Sequence, residues 1–337
     1  MFNLPTFQNV TGGLLVVRNV PLKLMAFVTV GLLLSLPVLA TGVSKTLPYP
    51  TGTLSLSADE VANQVYFVNH FYALKNYSIQ KKGKRKITVI INKAQGKKPT
   101  TNTVERHLNN NYNDGIVKAK DLAIFRSGKL RGTGMLITDY VDDNKSQSYA
   151  IWLPALRKIR RFAEPAHDDA WGGSDFTFGD VSLRKPHHET HELMGMQEAF
   201  KDCLGAMNLK HNKYMKKLPS SSCAHQGKAV YKLKSTTHFK NWWYDYRISY
   251  VDTKTFADYR TDYFKNGKHI KVIDRDWKTL PNYKGNDPRH VSWGYWYGKN
   301  LLTGHETWAV IPETVVAYNR DKKSSFWSEK TLRKIKR

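Results

Sequence analysis

The 337-residue sequence carries 53 Lys and Arg against 28 Asp and Glu, a formal net charge of +25. Its 9 Trp, 18 Tyr and 14 Phe can bury enough apolar surface for a sizeable core, which excludes a disordered chain. Two cysteines are too few for a disulfide-dense scaffold or a four-cysteine zinc site. The basic excess favours an acidic partner: nucleic acid, a membrane surface or an anionic ligand.

The first 40 residues have the pattern of a secretory signal peptide. Residues 24–43 contain no charge and follow Arg18 and Lys23, with no acidic residue before them. Pro37 and the small residue Ala40 predict cleavage after Ala40. An uncleaved anchor remains the alternative, because this uncharged stretch is just long enough to span a bilayer. Export argues against a nucleic-acid partner.

The chain after this segment begins with a leader and a helix. Residues 41–56 are polar with Pro and Gly, which predicts a flexible leader. Ser57 and Glu60 have the spacing of a capping box, in which each side chain satisfies a backbone donor of the other residue. Apolar residues then recur every three or four positions. This pattern predicts one helix from about Ser57 to Lys75.

Beyond this helix the apolar period changes to two. Alternating runs occur at KRKITVIINKA, KDLAIFRS, GMLITDYV, SYAIWLP, KAVYKLKS, WYDYRISYV, FADYRTDYF and HIKVIDRDW. Each run is bounded by Gly, Asn, Asp or Pro, which is typical of antiparallel strands, and Asn266-Gly267 predicts a type I′ hairpin. We therefore predict one mainly β (α+β) domain over residues 57–337. The lack of βαβ alternation disfavours nucleotide-binding α/β folds.

Residues 185–222 interrupt the strand pattern. The run HELMGMQEAFKDCLGAM, residues 191–207, has helical spacing and is followed by a basic loop. Cys203 and Cys223 bracket this loop, and in an oxidising exported compartment we expect them to form a disulfide contributing about 3 kcal/mol. Two unrelated buried thiols are the alternative. A catalytic thiol is disfavoured because neither cysteine lies in a Cys-X-X-Cys motif.

The chain offers no convincing catalytic constellation. A zinc protease needs His-Glu-x-x-His, but only one residue separates Glu189 from His191, so a polar loop is favoured over a metal site. Asp175 and Asp180 are better explained as turn-forming residues than as a carboxylate pair. The Gly-rich phosphate loops and the nucleophile elbow are missing from the sequence. We predict a protein that is not an enzyme, with no metal and no cofactor.

The segment Arg157–Phe162 instead indicates binding. In an extended chain its side chains alternate, with Arg157, Ile159 and Arg161 on one face and Lys158, Arg160 and Phe162 on the other. Cations beside apolar side chains suit an anionic amphiphile, whose headgroup needs guanidinium donors and whose tails need burial. A solvated edge strand protected by charge is an equally weighted alternative.

Three motifs occur in order between Leu122 and Asp180: LAIFRSGKLRGTGMLITDY, YAIWLPALRKIRRF and GGSDFTFGD. They resemble the outer membrane lipoprotein-sorting family of LolA-like periplasmic proteins, whose loop has the pattern Gly-Ser-Asp-Phe-x-Tyr-x-Asp. Phe178 and Gly179 depart from the family's Tyr and Glu, which puts a polar role of the loop in doubt. The resemblance continues to a last strand and a closing helix near the C-terminus, but the insertion at about 185–222 is not part of it.

The resemblance implies an unclosed antiparallel β-barrel around a helix, with a short C-terminal helix and a hydrophobic cavity for lipid or lipoprotein acyl chains. It also implies a monomeric periplasmic carrier in a Gram-negative envelope. Such a carrier would receive cargo beside an inner-membrane RND-type transporter and pass it toward the outer membrane.

The candidate site residues form two sets. The candidates for the apolar cavity lining are Met135, Ile137, Trp152, Phe162, Phe176 and Phe178. The candidates for contact with an anionic headgroup or an acidic transporter surface are Arg157, Lys158, Arg160 and Arg161. A one-residue register error would move each cavity candidate to the opposite face of its strand.

Two alternative functions remain. One is an exported, non-enzymatic module that docks on an anionic membrane complex or envelope polymer, as the basic runs 81–98 and 320–337 suggest. A more distant alternative is an enzyme acting on envelope lipids, with zinc at His187 and His191.

Overall fold

Strands are the main regular secondary structure of the described chain. The computed structural model describes residues 42–51, 55–84, 87–205, 223–280 and 282–335. The predicted signal segment 1–40 and the predicted basic loop at 210–222 lie outside the described residues.

Two helices flank fifteen strands in the described chain. The first part comprises α1 (Ala58–Asn69), β1 (Asn76–Ile79), β2 (Thr88–Lys93), β3 (Thr100–Asn109), β4 (Val117–Phe125), β5 (Gly134–Tyr140), β6 (Ser148–Leu153) and β7 (Lys158–Phe162). The second part comprises β8 (Glu189–Gln197), β9 (Val230–Thr237), β10 (Tyr246–Asp252), β11 (Asp258–Lys265), β12 (Lys268–Thr279), β13 (Val291–Asn300), β14 (Glu306–Val310), β15 (Val316–Tyr318) and α2 (Glu329–Arg333).

All fifteen strands belong to one antiparallel sheet. Its order is β7-β6-β5-β4-β3-β2-β14-β13-β12-β11-β10-β9-β8, and β1 pairs with both β3 and β15. Strands β7 and β8 form the two edges and do not pair with each other within the described residues, so the sheet is not closed. The predicted mainly β, unclosed antiparallel fold with one helix near each end is confirmed.

Helix α1 begins as its sequence predicts. Ser57 N–H donates to Glu60 Oε2 at 2.7 Å, and Glu60 N–H donates to Ser57 Oγ at 3.2 Å, which completes the capping box. The helix ends at Asn69 rather than Lys75, because Phe71 adopts a left-handed conformation with φ of 53° that a continuing helix does not allow.

The predicted hairpin is also confirmed. Asn266 and Gly267 have φ angles of 49° and 72°, the two positive values that a type I′ turn requires. They join β11 to β12 directly, with Lys265 opposite Lys268.

The helix predicted over residues 191–207 is wrong over its described part, residues 191–205. Most of its first half is β8, in which Leu193 lies opposite Leu233 and Met196 lies opposite Tyr231. The extra residue on β8 is a β-bulge, and Gly195 within it has φ of 120°. The bulge inserts one residue between Leu193 and Met196, which therefore lie three positions apart in the sequence instead of two. A spacing of three is also typical of a helix, so the sequence pattern was misread.

The predicted leader contains neither helix nor strand over residues 42–51 but contacts the domain. Lys45 Nζ donates to the Asn110 carbonyl at 2.8 Å, and Arg289 Nη1 donates to the Leu47 carbonyl at 2.9 Å. These contacts hold the leader beside α1 and the sheet.

The C-terminal segment that contains α2 covers one face of strands β4, β5 and β6. Trp327 and Leu332 pack on Leu122, Leu136 and Ala150. We call this the outer face, and we call the opposite face, which carries Met135 and Ile137, the inner face. None of the described helices has the length and apolar composition needed to cross a membrane.

We expect Ser57→Ala to lower the free energy of unfolding by about 1 kcal/mol, because the Glu60 amide loses its capping acceptor. Urea denaturation would measure the change. Ser55→Ala alters an exposed serine two positions earlier and is the matched control. Equal stability of the two variants would contradict the role of the cap.

Candidate functional site

The segment between the two sheet edges organises the interior. Residues 163–188, which we call the crossing segment, leave β7 at one edge and enter β8 at the other. The segment contains a 3₁₀ turn at Trp171–Gly173 and a π-helical turn at Gly179–Leu183. Trp171 and Leu183 pack on the inner face against Met135 and Ile137.

A small apolar cavity lies between the crossing segment and the sheet. Its lining includes Ile90, Val104, Trp171, Phe176, Trp293 and Trp296. Its charged member is Arg106, whose Nε donates to Asp121 Oδ2 at 2.6 Å and whose guanidinium carbon lies 5.2 Å from the Trp293 ring centroid. The cavity therefore combines aromatic walls with one guanidinium group.

Strand register explains why these side chains converge. Ile90, Ala309 and Trp296 lie directly opposite one another across β2, β14 and β13, so all three face inward. A bulge at Gly294 shifts the register of β13, which allows Trp293 to face inward as well. A Cβ at Gly294 would lie 2.5 Å from Asp276 Oδ2, so a side chain does not fit at this bulge.

The crossing segment fills most of the space above these strands. The cavity has a volume of about 50 Å³, whereas a pocket for a drug-sized ligand measures roughly 300–1,000 Å³. Phe176 occupies part of the difference, with its ring centroid 5.4 Å from that of Trp296. An acyl chain could enter only if Phe176 and its neighbours moved.

Asp175 anchors one end of the loop that carries Phe176. Its amide donates to Thr307 Oγ1 at 3.0 Å, and its carboxylate accepts from the Thr307 hydroxyl at 2.8 Å and contacts His305 Nδ1. Because Thr307 and His305 lie on and beside β14, the loop is tied to the centre of the sheet.

Asp180 anchors the other end more deeply. Its fully buried carboxylate accepts from Lys271 Nζ at 2.6 Å, from Arg184 Nη2 at 2.9 Å and from the Tyr263 hydroxyl. Burial alone would raise the pKa of Asp180, but the charges of Lys271 and Arg184 outweigh it and hold this pKa well below its usual range. Asp180 is therefore a charged anchor within the core. Its Oδ2 also accepts from the Thr177 amide at 2.9 Å, so the same carboxylate forms a turn within its own segment.

Gly179, between Phe178 and Asp180, is fixed by a close backbone approach. Its amide donates to the His167 carbonyl at 2.8 Å, and a Cβ at this position would lie 2.9 Å from that oxygen. This contact is the physical reason that a longer residue does not fit at position 179 of this chain.

A second, polar cavity of about 60 Å³ lies between α1 and the crossing segment. His70 lines it with Arg184 and Arg247. The His70 ring stacks on Tyr66 with centroids 3.8 Å apart, and its Nδ1 lies 2.9 Å from the Tyr66 carbonyl. Burial lowers the pKa of His70 from 6.5 to about 4, so this ring is neutral at pH 7.

The structure places the predicted lining residues in three environments. Met135 and Ile137 lie on the inner face, Phe176 lines the apolar cavity, and Phe178 packs on Tyr149 with centroids 5.9 Å apart. Trp152 lies on the outer face beside Ile159 and Phe326, beneath α2. Phe162 is 51% exposed on edge strand β7.

The four predicted cations remain together on and beside β7. Lys158 and Arg160 are exposed and alternate with Ile159 and Arg161, as expected for a strand. Arg161 Nε donates to Glu329 Oε1 of α2 at 2.7 Å, and Arg157 lies in the turn before the strand. Neither Lys158 nor Arg160 forms an ion pair with a described acidic residue.

Sequence reasoning missed Trp293 and Trp296, which form one wall of the cavity. Both lie in the aromatic run VSWGYWYG of β13, and the density of aromatic residues there was the available signal. Their shared orientation could not be predicted, because strict alternation sends residues three apart to opposite faces.

The family comparison covers the larger part of the chain. A family model described as an uncharacterized protein matches residues 118–334. No curated protein matches the sequence.

Solved structures share the fold at low sequence identity. A domain named for outer membrane lipoprotein sorting, from Vibrio parahaemolyticus, is 14% identical, with a TM-score of 0.58 over 82% of this chain and 98% of that chain. A DUF1329 family protein from Desulfovibrio piger is 14% identical, with a TM-score of 0.59 over the same shares. A LolA superfamily protein from Nitrosomonas europaea is 10% identical, with a TM-score of 0.48 over 82% of this chain and 100% of that chain. The predicted resemblance is confirmed by the fold.

We expect Asp180→Asn to lower the free energy of unfolding by about 3–5 kcal/mol, because it leaves the buried charges of Lys271 and Arg184 without their carboxylate. Urea denaturation would measure the loss. Asp321→Asn makes the same change at an exposed site and should shift stability by no more than about 0.5 kcal/mol. Similar effects of the two changes would contradict the anchor.

We expect His70 to make stability depend on pH. Its folded pKa is about 4, below the ordinary value of 6.5, so its contribution is present above pH 6.5 and is lost as the pH falls toward 4. Between pH 7.5 and pH 5 the wild type should lose about 2 kcal/mol more than His70→Gln. Parallel urea titrations at both pH values would test this, and an unchanged pH dependence in the variant would refute it.

Proposed function

The chain belongs to the family of uncharacterized proteins whose model matches residues 118–334, and from this premise and its fold we propose that it carries lipid or lipoprotein acyl chains. The observation that carries the proposal is the apolar cavity beneath the crossing segment. Its walls are aliphatic and aromatic, and the guanidinium of Arg106, which is paired with Asp121, is the charged group of the lining. The protein would act without enzymatic chemistry.

We propose that the crossing segment admits the cargo. Phe176 and Trp171 fill the space that an acyl chain would need, and polar contacts at Asp175 and Asp180 hold both ends of the loop. The contact of Asp175 with His305 lies nearer the surface, since the His305 side chain is 29% exposed, whereas Thr307 is buried. Release at Asp175 would move Phe176 while the deeper Asp180 anchor stays in place.

We further propose that the carrier works in the periplasm of a Gram-negative envelope, with its signal segment removed after Ala40. The disulfide between Cys203 and Cys223 fits an oxidising compartment. The exposed cations of β7 would face an anionic headgroup or the acidic surface of an inner-membrane RND-type transporter, and cargo would leave toward the outer membrane. The protein would do this as a monomer.

The same cations favour a second candidate function, docking without cargo. Lys158 and Arg160 are exposed on an edge strand, beside Leu156 and Phe162, which are 53% and 51% exposed. A module that docks on an anionic membrane complex or envelope polymer would need this edge but no cavity.

A disulfide across the cavity mouth would test the carrier. A Cβ at Gly298 would lie 3.5 Å from Asp175 Cβ, within the range of natural disulfides, although the Phe176 ring must shift aside. We expect oxidised Asp175→Cys/Gly298→Cys to exclude a fluorescent fatty acid that wild type binds, and dithiothreitol to restore binding. Each single-cysteine variant and wild type with dithiothreitol are the controls.

Two outcomes would overturn the proposal. Equal binding by the locked and unlocked forms would mean that the fatty acid does not enter beneath the crossing segment. If the wild type neither binds the probe nor carries lipid in native mass spectrometry, the chain is not a carrier. In that case, binding to phosphatidylglycerol vesicles that is lost in Lys158→Glu/Arg160→Glu would establish the docking function instead.

A further inference from the structure

The disulfide between Cys203 and Cys223 lies beside two buried polar side chains, His225 and Asp274. Cys203 follows a short stretch around Phe200, and Cys223 precedes a short stretch around Gly227. The two stretches are hydrogen-bonded to each other: Phe200 N–H donates to the Lys228 carbonyl and Gly227 N–H donates to the Phe200 carbonyl, both at 2.8 Å. His225 follows Cys223 by two residues. This arrangement sets both sulfurs and one imidazole above β12.

Three side chains of types that bind metal ions converge at the disulfide. Cys203 Sγ, a ring nitrogen of His225 and a carboxylate oxygen of Asp274 all lie within 4.8 Å of one another. His225 is 1% exposed, and Asp274 is fully buried. Cys223 Sγ is bonded to Cys203 Sγ and therefore lies one bond length from it.

These buried groups have unused bonding capacity. Within the described chain, neither of the two ring nitrogens of His225 has a hydrogen-bond partner, and Oδ1 of Asp274 has none either. His225 Nε2 lies 3.2 Å from Asp274 Oδ1, but the two are not aligned as a hydrogen bond. Leaving buried polar atoms unpaired is costly, so their convergence beside two sulfurs indicates a ligand that joins them.

Neighbouring residues hold the two side chains in place. The Tyr295 hydroxyl donates to Asp274 Oδ2 at 2.9 Å, which leaves Oδ1 facing His225. The Tyr259 ring stacks on the His225 ring with centroids 4.9 Å apart and planes 18° apart. In metal sites, contacts from the residues around the ligands orient the ligand side chains in this way.

We propose that reduction of the Cys203–Cys223 disulfide creates a Zn²⁺ site formed by both cysteine thiolates, His225 and Asp274. Two sulfurs, one nitrogen and one oxygen provide the four ligands of a closed tetrahedral site. Such a site places its ligand atoms about 3–4 Å apart, so side-chain movements of about an ångström would complete it. The two thiolates select zinc over the harder cations Mg²⁺ and Ca²⁺.

The chemistry balances with a dithiol as the reductant. The dithiol gives two electrons and two protons to the protein disulfide through a mixed disulfide, becomes a disulfide itself, and leaves Cys203 and Cys223 as thiols. Zn²⁺ then binds both sulfurs, and two protons are released. The disulfide and the metal are therefore alternative occupants of one place in the fold.

Cobalt substitution in the full chain would test the site. The protein is reduced with dithiothreitol, desalted without oxygen and titrated with Co²⁺ alone, then with Zn²⁺. We expect one equivalent of Co²⁺ to give thiolate charge-transfer absorption and tetrahedral visible bands, which Zn²⁺ abolishes by displacement. The unreduced protein should show neither band.

Variants identify the ligands. His225→Gln and Asp274→Asn should weaken Co²⁺ binding by at least the 10–100-fold typical of altered metal surroundings, while His269→Gln, on the same strand away from the site, should bind as wild type. If the ligand variants bind Co²⁺ as tightly as wild type, or if reduced wild type shows no thiolate band, the proposal is wrong.

A second readout does not depend on the variants folding. Bound Zn²⁺ should slow alkylation of the two thiols of reduced wild type by iodoacetamide, and a chelator should restore the rate. An alkylation rate that Zn²⁺ leaves unchanged would overturn the proposal. Neither result bears on lipid binding, so the carrier proposal stands or falls separately.

Discussion

The buried carboxylate of Asp180 is the constraint on which the interior depends. It joins the crossing segment to β11 through Tyr263 and to β12 through Lys271, while Arg184 returns from the same segment. A buried charge without partners would be prohibitively unstable, so these three groups and the carboxylate must stay together. The crossing segment is thereby fixed at one point over the inner face, and its aromatic residues take their positions from that point.

This constraint explains why a long crossing segment and a small apolar cavity occur together. Phe176 lies between the anchors at Asp175 and Asp180, so it is pressed onto Trp296 rather than left to solvent. Asp180 is fully buried, whereas Asp175 has one partly exposed partner, His305, and one buried partner, Thr307. The Asp180 anchor is therefore the more deeply buried of the two, as the proposed opening at Asp175 requires.

Sequence patterns predicted the position of helices, strands and turns better than the face of the sheet on which each side chain lies. The capping box of Ser57 and the turn at Asn266 depend on neighbours within a few residues, and both formed as predicted. The bulges at Gly195 and Gly294 depend on pairing with distant strands, so the first produced a false helix and the second hid the inward turn of Trp293. The anchoring role of Asp180 was missed because its partner Lys271 is 91 positions away.

The basic residues behind the net charge of +25 include both buried, paired cations and exposed ones. Lys271, Arg184 and Arg247 are neutralised by carboxylates inside the domain and contribute little to an outside partner. Lys158 and Arg160 differ, because they stand exposed on an edge strand. Charge on such an edge discourages pairing with another strand, and the same charge attracts an anionic surface. One strand can therefore keep the open sheet from aggregating and still face a membrane or an acidic partner.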